Sequence, residues 1–239
     1  MIENEGIVIK SIDYGDSNKI ITLFTISGLK SLTVKGAQKP SSHTFNFAKE
    51  FILLKYEDRG KFLIGGKVEN YYTNIVKDAK LTKSALRIFE IINMLVEHIN
   101  DIKTAYEFLK QCLDLINQKI DHNLIELIFR IKFLYLIGLS PNFNSCVRCG
   151  SKEELAYFSL FDGGMKCNHC KDIKDYHLTN SEFETFRLLY LVKLDKLIEK
   201  IDAINYQYDE MNLVLNMFYS HFLGFESSVE KIYKKINKW

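Results

Sequence analysis

Near residue 78 the spacing of apolar residues changes from about two to three or four. That change constrains the fold more than any other feature of the chain. Before it, "GIVIKSIDYG" sets Ile7, Ile9 and then Ile12 among more polar neighbours, and "KIITLFTI" and "SLTVKGA" follow, joined through "SGLK", where Gly28 supplies a tight turn. "FAKEFILLKYE" and "KFLIGGKVENYY" read as two further strands around a "DRG" connection, with Gly65 and Gly66 marking a bulge or a barrel corner. Five short strands with turn-length links predict a small five-stranded barrel of OB type over residues 1–78.

After residue 78 the pattern is helical. "LTKSALRIFEIINMLVEHI" places Leu81, Ala85, Ile88, Ile92, Leu95 and Ile99 on one face. "TAYEFLKQCLDLINQKI" and "NLIELIFRIKFLYLIG" repeat it, with Thr104 and Asn123 as candidate N-caps and Gly138 followed by Pro141 as a stop. Helices resume near Ser181, and "DEMNLVLNMFYSHFLGFE" is the clearest late one. The fold class is therefore α+β. A helical domain over 79–239 follows the barrel and carries a cysteine-rich insert over 143–178.

Four of the five cysteines lie in that insert as two C-x-x-C pairs, Cys146 with Cys149 and Cys167 with Cys170. Each pair offers two sulfurs from a tight turn, and the spacer between them suits one tetrahedral zinc site. The spacer reads as a hairpin, "AYFSLF" leading to a turn at Asp162–Gly164. A thioredoxin-like dithiol lacks its βαβ setting here, while an iron–sulfur cluster, metal-free cysteines and a ligand role for His169 stay open as alternatives. Four thiolates leave no open coordination position, so zinc here would be structural and present no activated water. Cys112, alone in a helical pattern, reads as a small buried apolar residue.

Charge is informative only locally, because the formal net charge is +2. Between Asp16 and Glu50 there is no acidic residue, yet Lys19, Lys30, Lys35, Lys39 and Lys49 fall in or close that interval. Phe45 and Phe47 flank its loop, and Phe24 reads as core. Lysines interleaved with rings on strands 2 and 3 of such a barrel suit a single-stranded nucleic acid. The segment "EKIYKKINKW" adds Lys231, Lys234, Lys235 and Lys238, and Arg130 and Lys132 are candidates for meeting an acidic partner peptide. Phosphate-binding glycine loops, H-E-x-x-H and G-x-S-x-G are all missing, so the chain reads as a non-enzyme. No signal pattern opens the chain and no apolar run reaches membrane-spanning length, which predicts a cytoplasmic protein without membrane contact.

Three stretches resemble one family: "VIKSIDYGDSNKIITLFTISGLKSLTVKGAQKP", "LYLIGLSPNFNSCVRCG" and "FSLFDGGMKCNHC". Their order and spacing are similar to those of the bacterial RecO recombination mediators. The resemblance implies an OB domain, a helical domain and a zinc module. It also implies binding of single- and double-stranded DNA and annealing of complementary strands. Its implied partners are RecR and the acidic C-terminal tail of single-stranded DNA-binding protein, with loading of RecA as the outcome at the nucleoid. A zinc-containing adaptor with incidental DNA contact is the alternative. One departure is Gln38, in a loop that is often richer in arginine in the family, which shifts expected DNA affinity toward other surfaces.

Overall fold

Five strands close into a barrel in the order β1 (Asn4–Tyr14), β2 (Asn18–Thr25), β3 (Gly28–Val34), β5 (Phe62–Asn70), β4 (Ile52–Arg59). The computed structural model describes residues 4–236 and divides into two compact units between His122 and Asn123. All barrel neighbours are antiparallel except β3 and β5, which run parallel and meet at Thr33 and Phe62. That closed order is the OB arrangement expected from the strand pattern. Val8, Ile21, Leu23, Leu32, Val34 and Leu54 fill the interior.

The alternation along β1 is broken once. Val8 pairs with Leu23, but Lys10 pairs with Thr22, so Ile9 is the extra residue of a bulge. Side chains beyond it change faces, and Ile12 is exposed rather than interior. Ile7 and Phe24 are buried on the outer side, where Phe24 packs on Tyr106 with ring centroids 6.1 Å apart. The expected strand "FAKEFILLKYE" starts late. Residues Phe45–Ala48 form a 3₁₀ turn, and β4 begins only at Ile52. Ser11 explains the delay: its hydroxyl donates to the Ala48 carbonyl (2.7 Å) and its N–H donates to Glu50 Oε1 (3.0 Å), replacing ladder bonds. Phe51 then turns at φ 60° and stacks on Phe89.

In this first unit α1 (Thr73–Lys77) leads to α2 (Ala79–Leu95) and α3 (Ile102–Asn117). Asp78 caps α2 by accepting from the N–H groups of Lys80 and Leu81. Asp101 caps α3 by accepting from Thr104, so Thr104 is the third helical residue and not the cap. Glu5 on β1 accepts from the Tyr106 hydroxyl (2.7 Å) and from Lys110 (3.1 Å), tying α3 to the barrel.

Helix α4 (His122–Leu136) starts before Asn123, which therefore lies inside its first turn instead of capping it. It stops as expected: Gly138 takes φ 75° and the Leu139 N–H reaches back to the Leu134 carbonyl. The insert follows as β6 (Leu155–Ser159), β7 (Gly164–Cys167) and a short β8 (Tyr176–His177) that the sequence pattern did not announce. Helices α5 (Asn180–Leu191), α6 (Leu194–Ile198), α7 (Tyr208–Leu223) and α8 (Ser228–Ile236) complete the second unit. Phe143 stacks on Phe158 of β6 and Phe186 of α5, which seats the insert on the helices.

The two barrel glycines make a sharp prediction. A Cβ on Gly66 would sit 2.6 Å from the Lys55 carbonyl oxygen, a backbone atom, whereas a Cβ on Gly65 would meet nothing. Gly66→Ala is expected to cost about 1–3 kcal/mol through forced backbone movement. Gly65→Ala should stay within about 0.5 kcal/mol of the parent in the same urea titration.

Candidate metal centre and nucleic-acid interface

The four cysteines of the insert converge. Their sulfurs all lie within 4.8 Å of one another, and Cys149 and Cys167 are 3.8 Å apart. All four are free thiols, and that separation is far longer than the roughly 2.05 Å of a disulfide. The first knuckle is closed by the Cys146 N–H on the Ser151 carbonyl and the Gly150 N–H on the Cys146 carbonyl. The second is closed by the Cys170 N–H on the Cys167 carbonyl. Burial works against a thiolate at Cys146, but backbone N–H groups of Cys167, Cys149 and Arg148 outweigh it and bring the thiol down to about 6. Hydrogen bonding to Cys149, followed by burial, holds Cys170 up at about 12. Four converging sulfurs, one of them favouring the thiolate, are a donor set that could hold a metal ion. His169 is exposed and lies 3.9 Å from Glu154, outside the group of four sulfurs.

Beside the knuckles is a cluster that spacing did not reveal. Lys166 on β7 is 2% exposed, and its ammonium meets Asp162 (2.7 Å), Asp172 (2.6 Å) and Asp175 (3.2 Å). Burial opposes its charge, but the hydrogen bonds to these three carboxylates win and hold it above the ordinary lysine range. The same bonds draw Asp162 and Asp172 below the usual carboxylate value. Lys166 thereby clamps the hairpin turn and the loop after Cys170 on either side of the thiols.

The acid-free interval is only partly acid-free in space. Lys19 pairs with Asp13 at 3.0 Å and Lys30 with Asp58 at 2.8 Å. Lys30 shares the inward parity of Leu32 and Val34, and its ammonium, bonded to Asp58, lies over the buried Tyr56 ring. Lys39 is exposed, Lys35 stands over the Phe62 ring at 4.8 Å, and Lys49 over Phe45 at 4.7 Å. Phe47 packs against the barrel interior and is not a free platform. Gln38, the departure noted above, has a local role. Its amide donates to the carbonyls of Gly15 and Asn18 and pins the loop after β3 to the β1–β2 turn.

Register identifies rings that sequence reasoning missed. Ile12 pairs with Ile20, Ile20 with Thr33, and Thr33 with Phe62, so these side chains form one outward row across four strands. Tyr14 and Lys10 share the face of Ile12, and Lys35 shares that of Thr33. Tyr14 is 55% exposed and Phe62 44%. The signal available in the sequence was their two-residue spacing from Ile12 and Ile64, but the bulge hid it.

On the inner parity of the β1–β2 ribbon lies a cleft of about 580 Å³. Lys19, Lys49 and Lys77 line it with Phe45, Tyr71 and Val76. In the second unit the partner candidates divide. Arg130 is 1% exposed: it lies 3.7 Å from Glu126, donates to Asn212 (2.7 Å) and Asn216 (2.8 Å), and stands over Tyr219. It is therefore an internal strut and cannot meet a partner peptide. Lys132 is half-buried and donates to the Tyr190 carbonyl at 3.2 Å. Of the C-terminal lysines, Lys231 pairs with Glu226 and Lys234 with Glu230, and Lys238 lies outside the described residues. Among the described residues no helix is long and apolar enough to cross a membrane.

Comparison with known proteins points one way. The family described as "Recombination protein O C terminal" matches residues 77–227, and "Recombination protein O N terminal" matches residues 1–61. The chain is 30% identical to the DNA repair protein RecO of Bacillus pumilus over 94% of its own length and 90% of that protein. To the DNA repair protein RecO of Bacillus cereus strain AH187 it is 27% identical, over 98% and 97%.

Lys166→Met removes the buried cation that three carboxylates share, leaving Arg148, 3.9 Å from Asp172, as a more exposed neighbour, and is expected to destabilise the second unit by roughly 3 kcal/mol, because Asp175, itself 2% exposed, loses its partner. The sign of the pH dependence distinguishes this from lost packing. Asp162 and Asp172 are lowered in the folded protein, so their contribution is full above the ordinary carboxylate value and disappears as pH falls through their folded values. The variant's carboxylates repel one another instead, and acid relieves them. The gap in unfolding temperature between parent and variant should therefore be widest near neutral pH and close as pH falls below the ordinary carboxylate value of about 4. A constant gap would point to packing alone.

Proposed function

This chain belongs to the RecO family of DNA repair and recombination proteins, and from that premise we propose that it is a non-enzymatic recombination mediator. It binds single- and double-stranded DNA, anneals complementary strands, and with RecR helps load RecA onto DNA coated by single-stranded DNA-binding protein. Its place of work is the cytoplasm, at the nucleoid when active. The observation that carries the nucleic-acid reading is the outward row of the barrel, with Tyr14 and Phe62 as exposed rings and Lys10 and Lys35 beside them. Bases stack on such rings and lysines track the phosphates. Lys39 and Lys49 extend the positive surface, while Lys19, on the other side of the ribbon, is held by Asp13.

The mechanism needs no bond-making group. Lysines neutralise phosphate and release counterions, and two strands held by one protein meet at a raised effective concentration. The acidic tail of single-stranded DNA-binding protein would bring this activity to coated DNA. Its contact on this chain does not include Arg130, which is internal.

The metal we assign is zinc, one per chain, on Cys146, Cys149, Cys167 and Cys170. Tetrahedral zinc with bonds of about 2.3 Å puts its sulfurs about 3.8 Å apart, which suits the Cys149–Cys167 separation of 3.8 Å. When bound, zinc closes the two knuckles into one structural unit and, with four thiolates, leaves no site for substrate. The side chains around it do the rest. Lys166 and its carboxylates fix the loops, and Phe143 and Phe158 carry the order into the helices.

Two measurements test this reading. Elemental analysis should find one zinc per chain, and Cys167→Ser should lose the metal and lower the unfolding temperature. A salt titration of oligonucleotide binding should have a log–log slope of about −2 for three phosphate contacts on a single strand. Phe62→Ala with Lys35→Gln should weaken binding about tenfold or more. Binding that is indifferent to salt and to both changes, with RecR binding intact, would favour an adaptor.

A further inference from the structure

We propose that the basic cleft on the inner side of the β1–β2 ribbon is a second single-strand site, separate from the outward row. The inference rests on the nucleic-acid reading given above and deepens it. Alternation after the Ile9 bulge sends Lys10, Ile12 and Tyr14 to one face and Ser11 and Asp13 to the other. Across the ladder Ile20 and Thr22 go outward, while Lys19 and Ile21 take the inner parity. Ser11 and Lys19 line the cleft, and Ile12 and Ile20 belong to the outward row. One two-stranded ribbon is thus the wall between two surfaces.

The cleft has the chemistry of a nucleotide pocket. At about 580 Å³ it is within the usual range for a bound small molecule. Its apolar lining comes from Phe45, Phe51, Ile52, Tyr71 and Val76, and Tyr71 and Val76 are exposed at the rim. Lys49 stands 4.7 Å from the Phe45 ring centroid, so a cation and a ring face the same opening. Lys77 is exposed on the far side, on α1. Against these cations the cleft holds one carboxylate, Glu50, which already accepts from the Ser11 N–H, while Asp13 occupies Lys19. The balance left at the opening is positive. That favours an anionic, ring-bearing ligand: a base against Phe45 and Tyr71, and its phosphates on Lys49 and Lys77.

Two such surfaces on one unit let a single chain hold two strands without help from a second copy. The test uses the full-length protein and an oligothymidylate of about eight nucleotides, a length that fits one site. Native mass spectrometry and calorimetry read the stoichiometry. Two oligonucleotides per parent chain are expected. Tyr71→Ala with Lys77→Gln should weaken one of them about tenfold or more, so that one oligonucleotide per chain is left at the parent's saturating concentration, and should abolish annealing. Phe62→Ala with Lys35→Gln should remove the other, and the combined variant should bind none. Circular dichroism checks that these exposed changes leave the fold intact.

A parent stoichiometry of one, or a Tyr71 and Lys77 variant that binds and anneals like the parent, overturns the second site. The outward-row reading survives in either case. No binding at all by the parent overturns that reading instead. An acidic peptide that occupies the cleft while oligothymidylate does not would also overturn the inference and assign the cleft to a protein partner.

Discussion

The bulge at Ile9 is the constraint on which the barrel's surface depends. Side chains on a strand alternate, and one extra residue exchanges the faces of everything beyond it. Without the bulge, Ile12 would share the interior parity of Val8 and Tyr14 would follow it. With it, both turn outward, and the ladder carries the exchange across Ile20 and Thr33 to Phe62. The same exchange gives Ser11 the inner side, where it bonds Ala48 and Glu50 and delays the start of β4. The 3₁₀ turn that results brings Phe45 and Lys49 to the edge of the cleft. A single inserted residue therefore shapes both faces of the ribbon.

The insert depends on a different kind of order. It is too small to bury a sufficient core of its own, so its loops need fixed anchors. The thiols gather the two knuckles, Lys166 joins the hairpin turn to the following loop, and Phe143 and Phe158 reach the helices through Phe186 and Phe218. These three sets act on different segments. Four thiolate ligands would saturate the metal and leave it a structural role.

The sequence made the architecture legible because its signals are local. A change of period marks strands giving way to helices, and two C-x-x-C pairs with a hairpin spacer mark the cluster of sulfurs. What stayed hidden depends on long-range partners. Arg130 looks like a surface charge until Asn212 and Asn216, more than 80 residues away, are placed beside it. Lys166 and its three aspartates look like ordinary loop charges. Phe45 and Phe47 were expected as a pair, yet Phe47 packs inward and Phe62 takes the exposed position, because register and not spacing decides which ring faces water. Thr104 has the residue type of a cap, but Asp101, three residues earlier, takes that place and accepts from both the N–H and the hydroxyl of Thr104.

The lysine interval shows how far linear charge counting goes. Five lysines without an intervening acid suggest one strong patch, but Asp13 and Asp58 lie outside the interval and neutralise Lys19 and Lys30. The remaining cations do not form one field. Lys35 is placed over Phe62 on the outward face, and Lys49 over Phe45 at the cleft. At physiological salt, exposed charges are screened beyond about 8 Å, so each cation acts mainly on groups close to its own ring. A chain with a formal net charge of +2 attracts nucleic acid weakly at long range. Lys35 over Phe62 and Lys49 over Phe45 instead put charge and an apolar contact at the same place.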